Sequence, residues 1–137
     1  MIEFKNLTKR FPGGKIAVDS LNLTFNDGEF IVFIGTSGSG KTTSMRMINR
    51  MIEPTSGEIL INGKNSKDMN AVELRRQIGY VIQQIGLMPH MTIFDNIVMV
   101  PKLLKWPVEK QRKIAEELIQ KVDLPLDFLE RYPSELS

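Results

Sequence analysis

Apolar and polar residues alternate over Ile2–Arg10 and again over residues 17–25, the pattern of strands buried on one face. Pro12-Gly13-Gly14 separates the two stretches and Asn26-Asp27-Gly28 closes the second, both with turn chemistry. Residues 29–34, Glu-Phe-Ile-Val-Phe-Ile, drop the alternation for a continuous apolar run and predict a strand buried on both faces. Helical character follows over residues 41–51 until Pro54-Thr55-Ser56-Gly57 breaks it. A short strand is expected over residues 58–61, ending at the tight-turn pair Asn62-Gly63. A short helix over residues 70–77 and a strand over residues 79–82 complete this part.

The character changes after Gln84. Thr92-Ile93-Phe94-Asp95 has the layout of a helix N-cap with an acidic residue at N3. A helix to about Leu104 is expected from there, kinked or ended at Pro101. Ala115, Leu118, Ile119 and Val122 fall at i, i+3, i+4 and i+7, which predicts an amphipathic helix over residues 108–122. The chain therefore divides into a mixed α/β part, residues 1–85, and a mostly helical part, residues 86–137.

The chemistry sits between the apolar run and the first helix. Gly35-Thr36-Ser37-Gly38-Ser39-Gly40-Lys41-Thr42 reads G-x-x-x-x-G-K-[ST] without a mismatch, the loop that wraps a nucleotide's phosphates. Glycines let its N–H groups converge on phosphate oxygens as a backbone nest. The following helix adds unpaired N–H donors and the positive end of its dipole. Lys41 then supplies a mobile charge for the β- and γ-phosphates, and the Thr42 hydroxyl is placed to ligand Mg²⁺. With glycine at roughly 7% of residues, a chance match is on the order of one in a few hundred chains of this length. A nucleoside triphosphate, ATP or GTP, is the expected ligand.

Composition narrows the class. With 137 residues, 42% of them hydrophobic, the chain can build a core. Eighteen Lys and Arg against 16 acidic residues leave a net charge of +2, too balanced to argue for nucleic acid or an anionic membrane as the main partner. No cysteine is present, which excludes disulfides and thiolate metal sites. No apolar stretch approaches the roughly 18 residues that span a bilayer, and Met1-Ile-Glu-Phe-Lys5 lacks the layout of a secretion signal. A cytoplasmic chain is expected. His90 is the sole histidine and its neighbours have no metal spacing. Arg75 and Arg76 read as a solvated helix face, and Met45, Met47, Met51 and Trp106 as packing. A GTPase would need Asn-Lys-x-Asp to read guanine, and Asn65-Ser66-Lys67-Asp68 has the wrong order.

Several spaced motifs together carry a resemblance. The loop continues Lys41-Thr42-Thr43. Pro54-Thr55-Ser56-Gly57-Glu58-Ile59 follows the first helix, and Tyr80-Val81-Ile82-Gln83 precedes Leu87-Met88-Pro89-His90-Met91-Thr92-Ile93. Tyr132-Pro133-Ser134-Glu135-Leu136-Ser137 comes last. In these the chain resembles the ATP-binding subunit of ABC transporters over its whole length, and is most similar to importers of glycine betaine, carnitine and choline. The resemblance implies an α/β P-loop NTPase of the ABC type: the N-terminal β-subdomain, core strands and the start of the helical subdomain, truncated before the Walker B strand. By resemblance Gly35, Thr36, Ser37, Gly38, Ser39, Gly40, Lys41, Thr42 and Thr43 bind phosphate, and Phe11 stacks on adenine with Val18 beside it. Gln83 matches the Q-loop glutamine, which touches Mg²⁺ or the attacking water and couples to the membrane subunit; an amide can do both. The implied partners are a second copy of the ATPase subunit, integral-membrane permease subunits that hold it at the inner face of the membrane, and indirectly a solute-binding protein.

Leu136-Ser137 matches only the beginning of the family's Leu-Ser-Gly-Gly-Gln signature. The family's later Asp and Glu, the next loop's aspartate and the switch histidine have no counterpart in these 137 residues. Two expectations follow. The chain alone binds ATP but hydrolyses it poorly or not at all, since phosphoryl transfer needs a positioned metal and nucleophile. A hydrophobic edge at residues 29–34 is also left open to self-association.

Overall fold

The first two alternating stretches pair as an antiparallel hairpin, β1 (Ile2–Arg10) with β2 (Ile16–Phe25), in a computed structural model that describes residues 1–82 and 86–136. β3 (Ser56–Ile61) joins the other side of β1, and β4 (Lys64–Asn65) folds back on β3, giving the order β2-β1-β3-β4. The Asn62-Gly63 turn has φ of 49° and 79° at its two residues, the positive pair that a two-residue hairpin of matching twist requires. The hairpin of β1 and β2 is bulged at Asn6 and Ser20, both at positive φ. Asn22 clasps these bulges. Its carbonyl oxygen accepts from the Asn6 N–H at 2.8 Å, and its amide donates to Asn6 Oδ1 and the Ser20 carbonyl, each at 3.0 Å. The bulge turns Leu7 onto the same face as Phe4, and both are buried.

The chain forms two compact units, Met1–Gly79 and Tyr80–Ser137. In the first, Phe4, Leu7, Val18, Met47 and Ile59 form the core between the sheet and α1 (Lys41–Ile48). The sequence suggested helix to residue 51, but α1 ends at a Schellman motif. The Met51 N–H reaches the Arg46 carbonyl at 3.0 Å and the Arg50 N–H reaches Met47 at 3.2 Å, with Arg50 at φ 54°. α2 (Ala71–Gln77) starts at Asn70, whose side chain accepts from the Val72 and Glu73 N–H groups. Residues 29–34 and 79–82 are not strands, because no described strand lies beside either to make a ladder. The two-sided burial expected of residues 29–34 is corrected accordingly. Phe33 packs on Phe25 with ring centroids 6.0 Å apart, while Phe30 and Ile34 are 93% and 92% exposed.

In the second unit Ile93, Val98, Ala115, Ile119 and Leu129 form a separate core. α3 (Ile93–Ile97) starts at Thr92, whose side chain accepts from the Asp95 N–H, as the capping pattern predicts. The predicted helix to about Leu104 is divided at Val98 into α3 and α4 (Met99–Leu103). Pro101 explains the break: it has no N–H to offer the Ile97 carbonyl four residues earlier. α5 (Val108–Lys121) is amphipathic, yet its buried stripe is Gln111, Ala115 and Ile119, while Leu118 and Val122 are exposed. Gln111 is accommodated because its amide donates to the Trp106 carbonyl at 2.7 Å.

Candidate functional site

The phosphate-loop residues are held by backbone geometry and by one lysine. Gly40 caps α1 at φ 92°, and a Cβ there would stand 2.2 Å from the Ala17 carbonyl oxygen, so the loop lies directly against β2. Gly38 also takes a positive φ, 83°. The Lys41 ammonium donates to the Gly35 and Thr36 carbonyls, both at 2.7 Å, and to Ser39 Oγ at 3.1 Å. Ser39 closes a turn inside the loop, its N–H on the Thr36 carbonyl at 3.3 Å. The Ser44 N–H bonds the Gly40 carbonyl at 2.8 Å, the first full turn of α1. The N–H groups of Lys41, Thr42 and Thr43 therefore precede any helical acceptor.

A cavity of about 270 Å³ lies over this turn, lined by Gly38, Ser39, Gly40, Lys41, Thr42 and Thr43 on one side and by Phe11, Pro12, Lys15 and Ala17 on the other. No carboxylate lines it, and two lysines and a helix N-terminus do, which suits a polyanion. Phe11 is half-buried. Its N–H donates to the Lys15 carbonyl at 2.9 Å, and the Lys9 ammonium stands 5.3 Å from its ring centroid while donating to the Glu53 carbonyl at 2.7 Å. Phe11 and the loop thus share one cavity. Val18 does not line it: it is buried in the core, where its Cγ2 would lie 3.3 Å from a Cβ at Gly40. Ser37 is exposed at the loop. Gln83 lies outside the described residues.

Beside α1 an open, mostly apolar cleft of about 580 Å³ is lined by Ile2, Phe25, Glu29, Ile31, Val32, Phe33, Met45 and Ile48, together with Lys41 and Thr42, which also line the first cavity. Met45 and Met51 are about half exposed and so do not pack as the sequence suggested, whereas Met47 is fully buried. Glu29, at the start of this segment, accepts from the Asn26 side-chain amide and backbone N–H, and those bonds hold its carboxyl below the usual range. His90 is exposed, and the described residues contain no group of three or more His, Asp or Glu able to hold a metal.

The sequence reading missed two arginines at the rear of α1. Arg75 is exposed on α2, as expected, but it also donates to the Asn49 carbonyl at 3.1 Å and the Arg50 carbonyl at 2.6 Å. Arg50 in turn donates to the Ser66 and Met69 carbonyls at 3.1 and 2.7 Å and pairs with Glu53. Cations at a helix C-terminus are a recognisable signal, but the tertiary reach of these two could not be read from spacing.

The model of the ABC transporter family matches residues 18–137. The carnitine transport ATP-binding protein OpuCA of Listeria monocytogenes is 62% identical over 137 residues, all of this chain and 34% of that protein. The glycine betaine/carnitine/choline transport ATP-binding protein OpuCA of Bacillus subtilis (strain 168) is 58% identical over the same length, 36% of that protein. The chain thus spans about a third of the length of these curated relatives. Among solved structures, the dimeric ATP-binding cassette MJ0796 in a post-hydrolysis state with ADP and Pi superposes with a TM-score of 0.85 at 34% identity, covering 100% of this chain and 63% of that one.

Proposed function

This chain belongs to the ABC transporter family, and from that premise we propose that it is the phosphate-binding part of an importer's ATPase subunit, serving uptake of a quaternary-ammonium osmoprotectant. It has the ABC ATPase fold over the portion of the cassette it covers. The observation that carries the reading is the carboxylate-free cavity that sets Phe11 across from Gly38–Thr43. Adenine would stack on the exposed part of the Phe11 ring, without Val18, and the triphosphate would lie along Gly35, Thr36, Ser37, Gly38, Ser39 and Gly40 to Thr43. Lys41 exchanges its Gly35 and Thr36 carbonyls for phosphate oxygens, which are stronger, charged acceptors. The osmoprotectant branch is supported by the 58–62% identity to the carnitine and betaine transport proteins.

The donor set fits Mg²⁺. A threonine hydroxyl combined with phosphate oxygens and water suits this ion, which seldom relies on an all-protein cage. Thr42, exposed at the cavity, would hold it, with Gln83 as a second ligand. When bound, the ion neutralises charge on the β- and γ-phosphates. Positioning is what the cavity residues supply. None is a carboxylate able to align an attacking water, so these 137 residues alone bind ATP and turn it over slowly or not at all. A second ATPase copy, the permease subunits and, through them, a solute-binding protein are the proposed partners in the membrane-associated assembly. No described helix is long and apolar enough to cross the membrane itself.

Calorimetric titration with Mg-ATP, run beside a phosphate-release assay, tests this. Wild type is expected to bind, Lys41→Ala to bind on the order of tenfold more weakly through the lost charged contact, and release to stay near background. Equal binding by the two proteins, or none by either, overturns the nucleotide site; Lys41-dependent release overturns the claim of slow turnover.

A further inference from the structure

The cavity holds a cation that the phosphate-loop pattern does not include. Lys15 lines it together with Phe11 and the first turn of α1. The turn fixes its backbone beside Phe11: the Phe11 N–H bonds the Lys15 carbonyl at 2.9 Å, and the Gly14 N–H bonds the Phe11 carbonyl at 3.1 Å, while the side chain is exposed. Gly13 and Gly14 make that turn possible at φ 87° and 84°. The Lys15 side chain forms no ion pair among the described residues. Lys9, by contrast, is committed to the Glu53 carbonyl and the Phe11 ring, and Lys41 to the loop.

Resting on the nucleotide reading above, we propose that Lys15 is an affinity-determining residue that meets the phosphate chain at its base-proximal end. Phe11 and Lys15 are opposite ends of one tight turn, so a base stacked on the first brings the nearest phosphate toward the second. Lys41, coming from the other wall, serves the distal phosphates. The division of labour has a distinctive signature. A lysine acting on the base-proximal phosphate contributes equally to ATP and ADP, and contributes nothing to adenosine, which has the base and ribose but no charge. Its effect weakens with salt, because an exposed ammonium is screened.

The test is titration of the 137-residue chain with ATP, ADP and adenosine at two salt concentrations, using wild type, Lys15→Ala, Lys15→Glu, Lys15→Arg and, as a charge-matched control outside the cavity, Lys121→Ala. Lys15→Ala is expected to weaken ATP and ADP alike by roughly threefold to tenfold at low salt, less at high salt, as for an exposed charged contact. Lys15→Glu weakens both further, Lys15→Arg restores both, and adenosine and the control are unchanged. If wild type binds ATP and Lys15→Ala or Lys15→Glu binds as tightly, the assignment of Lys15 is wrong while the nucleotide site stands. An equal loss of adenosine would overturn it too, by placing the defect in the turn that carries Phe11. If wild type binds no nucleotide, the reading beneath it fails, and Lys15 with it.

Discussion

Gly40 is where the fold and the chemistry make the same demand. Its φ of 92° costs a side-chain-bearing residue about 1–2 kcal/mol, and any Cβ would also collide with the Ala17 carbonyl oxygen at 2.2 Å. Gly38 shares the first restriction at φ 83° but has open space around it. Gly40→Ala should therefore be the more damaging change: it must push the loop off β2, lowering stability beyond the backbone cost and weakening ATP binding, while Gly38→Ala loses only about the backbone cost. Urea titration and calorimetry on the two variants check this, and equal losses would refute it. The loop was legible in the sequence because its chemistry lies in consecutive residues. Phe11 could be named only through the family resemblance, although the structure sets it across the same cavity. Arg50, Arg75 and Lys15 were not legible, because their partners lie far along the chain or across a cavity.

Among elements, those with local punctuation were readable. β1, β2, the Asn62-Gly63 turn and the Thr92 cap all stand where turn and capping chemistry put them. Residues 29–34 and 79–82 were misread for a physical reason: strand formation depends on a neighbour, which a single segment does not encode. The α5 stripe was half misread because period alone cannot choose between Gln111 and Leu118 for the buried face. The Thr92 cap also carries a pH signature. Asp95 is held below its ordinary value of about 3.8, first by the hydrogen bond from Lys102 at 2.6 Å, against the opposing effect of burial, with the Thr92 hydroxyl adding to the lowering. A carboxyl depressed in the folded state stabilises above its unfolded value and loses that contribution as pH falls through the folded one. The second unit should therefore lose a small, salt-sensitive increment of stability as pH drops below about 3.8, and Asp95→Asn should remove that increment at neutral pH. Denaturation followed by Trp106 fluorescence from pH 6 to pH 3 measures it; a wild type and Asp95→Asn pair differing equally across that range would exclude the mechanism.

At the scale of the molecule, the apolar surface is unevenly placed. Ile31, Val32 and Phe33 line the cleft beside α1 with Phe25, while Phe30 and Ile34 are exposed, at 93% and 92%. The same six residues contribute no rung to the sheet, so side chains and backbone groups are offered together. A segment of that kind is a template for pairing with another chain, and contiguous apolar surface favours the same outcome. The 137-residue chain should accordingly associate with itself as its concentration rises. Phe30→Lys combined with Ile34→Lys should suppress the association by placing like charges on the exposed face. Neither residue belongs to a core cluster, so the variant keeps its melting temperature. Sedimentation velocity over a concentration series decides it. A wild type that stays monomeric throughout, or a double variant that associates as strongly, would mean that this edge is not what drives assembly.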